Sequence, residues 1–155
     1  MFDLDAFIVR PFNNYGPRQN STGALAGIVP LTACRIMNGI APEIHGDGQQ
    51  SRDFIHVNDT VDAVIKLYQV LNAGESVNIS TDNPVTVASL IEMICAEMDY
   101  DGEIFCKPGR KSDVSCHVAS NAKLRNLIDF SVTPFQDGLK ATIDWYRRNS
   151  SPPNW

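Results

Sequence analysis

Hydrophobic positions along the chain alternate between short continuous runs and helical spacings. The first run, Ala6 to Val9, is typical of a strand buried on both faces of a parallel sheet. The turn formers of segment 13–17 predict a loop directly after that strand. A helix is predicted over Leu25 to Asn38, with Pro30 in its first half and Gly39 as its C-cap.

The middle of the chain predicts a hairpin followed by a helix. Residues 44–49 are typical of a strand and a tight Asp-Gly turn, with a second strand continuing through Ile55. Asn58 or Asp59 is the expected N-cap of the next helix. Its apolar positions at helical spacing are Val61, Val64, Ile65, Tyr68 and Leu71.

The second half continues the alternation. Short strands are predicted at 77–79 and 103–106, and a helix between them is marked by Val87, Leu90, Ile91, Ile94 and Met98. The last helix starts at a Thr133-Pro134 cap with Gln136 as capping-box partner, and its apolar face is Phe135, Leu139, Ile143 and Tyr146. The predicted fold class is therefore α/β, with two small sheets.

Composition and charge narrow the function classes. The 155 residues are 43% hydrophobic and 20% charged, which is ordinary for a globular domain. A net charge of −5 argues against a general nucleic-acid binder. No run reaches the roughly 18 apolar residues of a membrane span. The absence of a basic n-region and of any C-x-x-C pair favours a cytoplasmic protein with reduced cysteines.

The segment after the first strand is the first candidate site. In open α/β sheets ligands bind where strands end, and Arg10-Pro-Phe-Asn-Asn-Tyr-Gly-Pro17 follows the first strand. Asn13 and Asn14 can donate amide hydrogen bonds to phosphate or sugar oxygens. Local physics alone favours the alternative that both asparagines simply shape the turn.

Two arginines in glycine-containing turns are candidates for holding a diphosphate. Arg52 follows the G-x-G turn, which lacks the third glycine of a dinucleotide fingerprint, and its guanidinium could fork onto a diphosphate. The alternative is a surface pair with Asp53 or Asp59. Arg110 could share the diphosphate and Asp113 could accept ribose hydroxyls, or both could belong to a solvated charged loop. The three histidines lack metal-ligand spacing, so no metal site is predicted.

Together these segments resemble the second half of extended short-chain dehydrogenase/reductases, specifically the NAD-dependent epimerase/dehydratase family that acts on nucleotide sugars. The order and spacing of the motifs cover nearly the whole chain. They are Val9 through Gln19, Val29-Pro30, His45 through Asp59, Val77 through Ser80, Pro108 through Asp113, and Gly138-Leu139 followed by Trp145-Tyr146.

The resemblance implies a role for each candidate residue. Asn13 matches an asparagine that contacts the diphosphate and sugar, and Arg52 and Arg110 match the arginines that hold the diphosphate. Asp113 matches a carboxylate on the ribose, and His45 stands where members often place an aromatic residue against the base. Gly27 replaces a polar residue of the family, so that contact is missing.

The resemblance also implies a cofactor and a reaction. Pro11 and Phe12 match positions beside the nicotinamide of NAD. The expected activity is that of a nucleotide-sugar epimerase, UDP-glucose 4-epimerase-like, acting by transient hydride transfer on a nucleotide-diphosphate sugar. A 4,6-dehydratase of the same family, a non-catalytic sugar-nucleotide-binding module and a plain interaction module are the alternatives. A homodimer is compatible with the full-length family.

Two family features are absent from the sequence. No tyrosine has a lysine four places on, and no glycine-rich dinucleotide run is present. The expected organisation is a partial unit: residues 1–20 form a late Rossmann strand and active-site loop. Residues 21–155 mainly form a sugar-nucleotide-binding domain, and parts of this range can return to the Rossmann sheet. The chain alone is expected to be inactive.

Overall fold

The computed structural model describes residues 5–23, 25–109 and 114–149. Strands and helices alternate along these ranges, which confirms the predicted α/β class. In chain order the elements are β1 (Ile8–Pro11), β2 (Asn13–Tyr15), α1 (Ile28–Met37), β3 (Glu43–His45), β4 (Ser51–His56), α2 (Val57–Leu67), β5 (Ser76–Ile79), β6 (Pro84–Thr86), α3 (Val87–Glu97), β7 (Phe105–Lys107), β8 (Cys116–His117), α4 (Ala122–Leu127) and α5 (Phe135–Asn149).

Parallel pairing dominates the described sheets. β1 pairs in parallel with β5, and β3 pairs in parallel with β7. β4 is central to the remaining sheet: it pairs in parallel with β2 and β8 and antiparallel with β6. Parallel strands carry their C-terminal ends to one edge, so β2 and β4 place the ends of two polar motifs side by side.

Apolar side chains form two main clusters and a smaller one. One lies between α1, α3, α5 and the β2–β4 pair and includes Tyr15, Val29, Ala33, Phe54, Leu90, Ile94, Leu139 and Ile143. A second joins β4, β5, α2 and α4 through Ile55, Ala63, Leu67, Val77, Ile79, Leu124 and Phe130. The third packs β3 on α3 through Ile44, Val87, Ile91 and Cys95. No helix in the described ranges is long and apolar enough to cross a membrane.

The helices α3 and α5 form where their apolar spacing predicts them, and their predicted apolar positions face the core. The Thr86 side chain caps α3 by accepting from the Ser89 amide. The hydroxyl of Thr133, the predicted cap of α5, donates to Asp59. Gly39 adopts a positive φ of 68° just after α1, as expected for a C-cap. α1 starts at Ile28 and not at Leu25, since the preceding segment forms a turn in which the Gly27 amide donates to the Asn20 carbonyl.

The predicted hairpin across residues 44–55 is wrong. The Asp-Gly turn exists, with Gly46 and Gly48 at positive φ, but it joins β3 and β4, which pair with other strands. The first amides of α3 donate to the carbonyls of Gly48 and Gln50, so the start of that helix binds the turn. Tertiary contacts with α3 therefore override the local preference for a hairpin.

The first strand and the loop after it also differ from expectation. β1 begins at Ile8, not at Ala6, and Ile8 is 59% exposed although the apolar run predicts burial on both faces. Segment 13–17 is not only a loop, because residues 13–15 form β2 against β4. The short strand places the two asparagines in fixed register opposite Phe54 and Ile55.

The predicted cap and face of α2 are partly wrong. His56, not Asn58 or Asp59, caps the helix, and its ring nitrogen accepts from the Asn58 amide. The buried positions include Thr60, Ala63 and Leu67, with Val64 and Leu71 packed beside them. The other predicted apolar positions are exposed: Val61 is 51%, Ile65 58% and Tyr68 76% exposed.

Candidate functional site

A cavity of about 500 Å³ lies between the β2–β4 pair, β3 and the start of α1. This size falls in the range of small-ligand sites. Three sequence-predicted residues from three strands line it together: Asn13, His45 and Arg52. Its remaining lining residues are Gly23, Ala26, Ile28, Leu31, Glu43, Gln50, Phe54 and Val87.

Asn13 is fixed by the strand beside it. Its Nδ2 donates to the Asp53 carbonyl oxygen at 2.9 Å, which uses one of the two N–H groups of the amide. Asn14 has a structural role instead, because its Oδ1 accepts from the Thr60 hydroxyl at 2.5 Å. The two asparagines thus have different positions: Asn14 shapes the segment, and Asn13 lines the cavity.

Arg52 lies in β4 with its guanidinium oriented by two backbone carbonyls. Nη1 donates to the Ser51 oxygen at 2.8 Å and to the Val114 oxygen at 2.7 Å. The carboxylates considered as surface partners are engaged elsewhere: Asp53 binds the Thr81–Asp82 segment, and Asp59 accepts from Thr133.

Asp53 supports the site from within the fold. Its side chain is fully buried. Oδ1 accepts from the Thr81 amide at 3.0 Å and the Thr81 hydroxyl at 2.5 Å, and Oδ2 accepts from the Asp82 amide at 2.9 Å. The same residue offers its carbonyl to Asn13. A buried carboxylate satisfied in this way fixes the backbone that carries Arg52.

Glu43 is a cavity residue that the sequence analysis did not single out. Its Oε1 accepts from Arg35 Nη2 at 2.6 Å and from Lys107 Nζ at 2.9 Å. The hydrogen bond from Lys107, aided by the nearby Arg35 charge, holds the pKa of Glu43 below its usual range. Its position two residues before His45 could have indicated that it lines the same cavity, since alternate residues of a strand share a face.

Arg110 and Asp113 lie outside the described residues, so their predicted convergence with Arg52 stays a prediction. The described residues flanking them do contact the site. The Gly46 amide donates to the Lys107 carbonyl at 2.8 Å, and the Val114 carbonyl accepts from Arg52. A smaller cavity of about 270 Å³ beside His45 is lined by Gly109 and Ser115, among others.

Comparison with known proteins gives this arrangement a family. The family model described as the NAD dependent epimerase/dehydratase family matches residues 1–80, which include β1, β2, β4 and the Arg52 motif. The chain belongs to this family.

Its relatives share the fold but differ in their nucleotides. The chain is 30% identical to dTDP-4-dehydro-6-deoxy-D-allose reductase of Streptomyces bikiniensis, over 96% of the chain and 45% of that protein. It is 28% identical to GDP-L-fucose synthase 1 of Arabidopsis thaliana, over 94% of the chain and 46% of that protein. The solved UDP-glucose 4-epimerase of Thermotoga maritima with UDP-glucose superposes with a TM-score of 0.89 at 32% identity, over 94% of this chain and 47% of that one. The chain thus spans less than half the length of these relatives.

A second residue missed by the sequence analysis is Gln19. Its side-chain amide packs against Gly27. A Cβ at Gly27 would lie 2.3 Å from Gln19 Cδ, so the Gln19 amide occupies that space. Its Nε2 donates to the Asn14 carbonyl at 2.8 Å, and its backbone carbonyl accepts from the Tyr146 hydroxyl. Oε1 is buried without a hydrogen-bond partner in the described residues, on a cavity of about 410 Å³ that also contains Asn13. A side chain at position 27 would therefore have to displace the Gln19 amide.

The residues predicted to face NAD lie at the end of β1. Pro11 is exposed there, and Phe12 stacks on His117 with ring centroids 4.8 Å apart. Ligands of open α/β sheets bind at the C-terminal ends of the strands, and the contact of both residues with NAD stays a prediction. Among the described residues no cluster of His, Cys, Asp or Glu could hold a metal ion.

His56 gives the fold a testable pH dependence. Its Nδ1 accepts from the Asn58 amide, so Nε2 carries the proton and lies buried without a partner in the described residues. Burial lowers the pKa of His56 from its usual 6.5, and Asp59 opposes the shift.

We expect the contribution of His56 to the free energy of unfolding to be constant above about pH 7 and to fall as the pH drops below the unfolded value of 6.5. The unfolded chain binds the proton first in this window, which favours unfolding. Urea denaturation at several pH values measures the slope. His56→Asn keeps a capping side chain that does not titrate, so it should flatten the curve between about pH 7 and 5.5. An unchanged slope in the variant would contradict this assignment.

Proposed function

We propose that the cavity binds a nucleotide-diphosphate sugar, as part of an NAD-dependent epimerase that acts by transient hydride transfer in the manner of UDP-glucose 4-epimerase. The supporting observation is that Asn13, His45 and Arg52, from three strands, line one cavity. A guanidinium provides a planar fork for phosphate oxygens, and an amide binds either phosphate or sugar hydroxyls.

In this proposal the chain has a positioning role. Arg52 would hold the diphosphate, Asn13 would orient the diphosphate and first sugar, and Pro11 and Phe12 would contact the nicotinamide. NAD supplies reversible hydride transfer when it is bound. Fixing the sugar relative to the cofactor lowers the entropic part of the barrier, which is the contribution to catalysis that these residues can make.

An apolar surface supports the proposal that this chain works with a further half of the fold. Ile8, Val61, Ile65 and Tyr68 are exposed although their spacing predicts burial. Among the described strands β1 has a partner, β5, on one edge only. Parallel strands normally have both faces covered, and the relatives are about twice as long as this chain.

A dehydratase is the second candidate, because the family that matches residues 1–80 includes both reactions. In either case the residues described here would bind the substrate. A non-catalytic sugar-nucleotide-binding module would use the same cavity. A cytoplasmic location and a homodimer stay predictions.

Calorimetric titration of the chain with UDP-, dTDP- and GDP-sugars tests the proposed function. We expect saturable binding of at least one nucleotide sugar, competed by its nucleoside diphosphate and not by the free sugar. The competition follows from placing the diphosphate at Arg52. Absence of binding by all of them, to a chain whose circular dichroism spectrum shows it folded, would contradict the proposal.

We expect no turnover by this chain alone, since its sequence carries neither a Tyr-x-x-x-Lys pair nor a glycine-rich dinucleotide run. The chain is incubated with NAD and the nucleotide sugars above, and products are separated by chromatography. A full-length UDP-glucose 4-epimerase serves as the positive control. Product above a blank preparation would show that the chain is catalytically complete.

A further inference from the structure

The pattern of β3 aims two polar side chains at the cavity. Alternate residues of a strand point to opposite faces. Ile44 is buried against α3, and Glu43 and His45 on the opposite face both line the cavity that contains Arg52. A carboxylate and an imidazole are thus presented side by side to whatever the cavity binds.

Glu43 is held as an ionised hydrogen-bond acceptor. Arg35 and Lys107 both bind its Oε1, and their combined effect favours the charged form. Oε2 has a different position, 4.0 Å from Nε2 of His45. A carboxylate has about four lone-pair sites, so the two bonds to Oε1 leave acceptor capacity on Oε2.

The linear shape of a nucleotide sugar places its base near β3. The diphosphate is the middle of such a molecule, and Arg52 is the cationic residue among the described lining residues. In the proposed function Pro11 and Phe12 contact the nicotinamide. The sugar that exchanges hydride with it then lies at the β1 side, next to Asn13. The base then extends toward the other strand that lines the cavity, β3, with Glu43 and His45.

We propose that Glu43 makes this site selective for guanine, so that the ligand is a guanosine-diphosphate sugar. This inference rests on the proposed function. The expected UDP-sugar is thereby replaced by a GDP-sugar, and the proposed reaction on the sugar is unchanged.

The edges of the bases decide the selectivity. Guanine presents two adjacent donors, N1–H and the 2-amino group, which match a carboxylate acceptor. Uracil and thymine present one N–H between two carbonyl oxygens, which an ionised carboxylate repels. Cytosine and adenine place an amino donor beside a ring-nitrogen acceptor. Discrimination therefore arises both from attraction to guanine and from repulsion of the pyrimidine carbonyls.

Calorimetric titration of the chain with GDP, IDP, UDP and dTDP tests the inference. We expect GDP to bind at least about tenfold more tightly than UDP or dTDP, the size expected for one charge-assisted hydrogen bond. IDP lacks only the 2-amino group, so its affinity should lie between those of GDP and UDP. Equal or tighter binding of UDP or dTDP would overturn the inference while leaving the proposed function intact.

Two variants separate selectivity from folding. Glu43→Ala should lower the affinity for GDP about tenfold or more, raise that for UDP because the repulsion of its carbonyl oxygens is lost, and remove the difference between GDP and IDP. Lys107→Met breaks an ion pair but keeps the carboxylate, so it should retain the preference for GDP. An equal loss for all nucleotides in Glu43→Ala would make Glu43 structural and overturn the inference. Absence of binding by every nucleotide to the folded chain would instead refute the proposed function.

Discussion

Replacing Arg52 by alanine should weaken the binding of a nucleoside diphosphate by about ten- to hundredfold, because charge-assisted hydrogen bonds contribute roughly 1.5–3 kcal/mol each. The guanidinium is oriented by the Ser51 and Val114 carbonyls on the wall of the cavity. Calorimetric titration with GDP and UDP measures the loss. Arg52→Lys should restore little of the affinity, since lysine keeps the charge but lacks the planar fork.

A matched control distinguishes this role from general electrostatic attraction. Arg147 lies on α5, pairs with Asp144 and does not line the cavity. Arg147→Ala should leave nucleotide affinity within about twofold, because the site loses no contact. Equal affinities for the wild-type chain and Arg52→Ala would show that Arg52 does not hold the diphosphate and is a surface arginine.

Replacing Asp53 by alanine should destabilise the fold by roughly 3 kcal/mol or more, because each buried donor that loses its acceptor costs about 1–3 kcal/mol. The substitution leaves the Thr81 amide, the Thr81 hydroxyl and the Asp82 amide without their acceptor. Asp82 has a positive φ of 61°, so the segment held by Asp53 also contains strained backbone. Urea denaturation monitored by circular dichroism measures the change in the free energy of unfolding.

Asp62 offers the control for Asp53. It is exposed on α2 and pairs with Lys66 four residues on, at 2.7 Å. Solvent screens exposed pairs of this kind, so Asp62→Ala should change stability little. Comparable losses in the two variants would mean that burial of the Asp53 network has no special role.

The parts of the fold that could be predicted are those with local causes. α3 and α5 follow from apolar spacing, and the Gly39 C-cap follows from one glycine. The hairpin prediction was wrong because strand pairing depends on distant segments: β3 pairs with β7 about sixty residues away in sequence. The predicted face of α2 was partly wrong because that helix carries apolar residues on more than one side.

The candidate site divides in the same way. Asn13, His45 and Arg52 could be found because each stands in a recognisable family motif, and the structure brings them to one cavity. Gln19 could not, because its relation to Gly27 exists only in the folded chain. Glu43 lies in a short strand whose pairing was not foreseen, so its approach to Arg35 and Lys107 depends on tertiary structure.

A crystal structure of the chain with bound nucleoside diphosphate would show whether Arg52 holds the diphosphate. We expect density for the diphosphate within hydrogen-bond distance of the Arg52 guanidinium, with Asn13 beside it and the base directed toward β3. A ligand bound elsewhere on the chain would contradict the proposed site, as would an unoccupied cavity in crystals of a complex whose binding is saturated in solution.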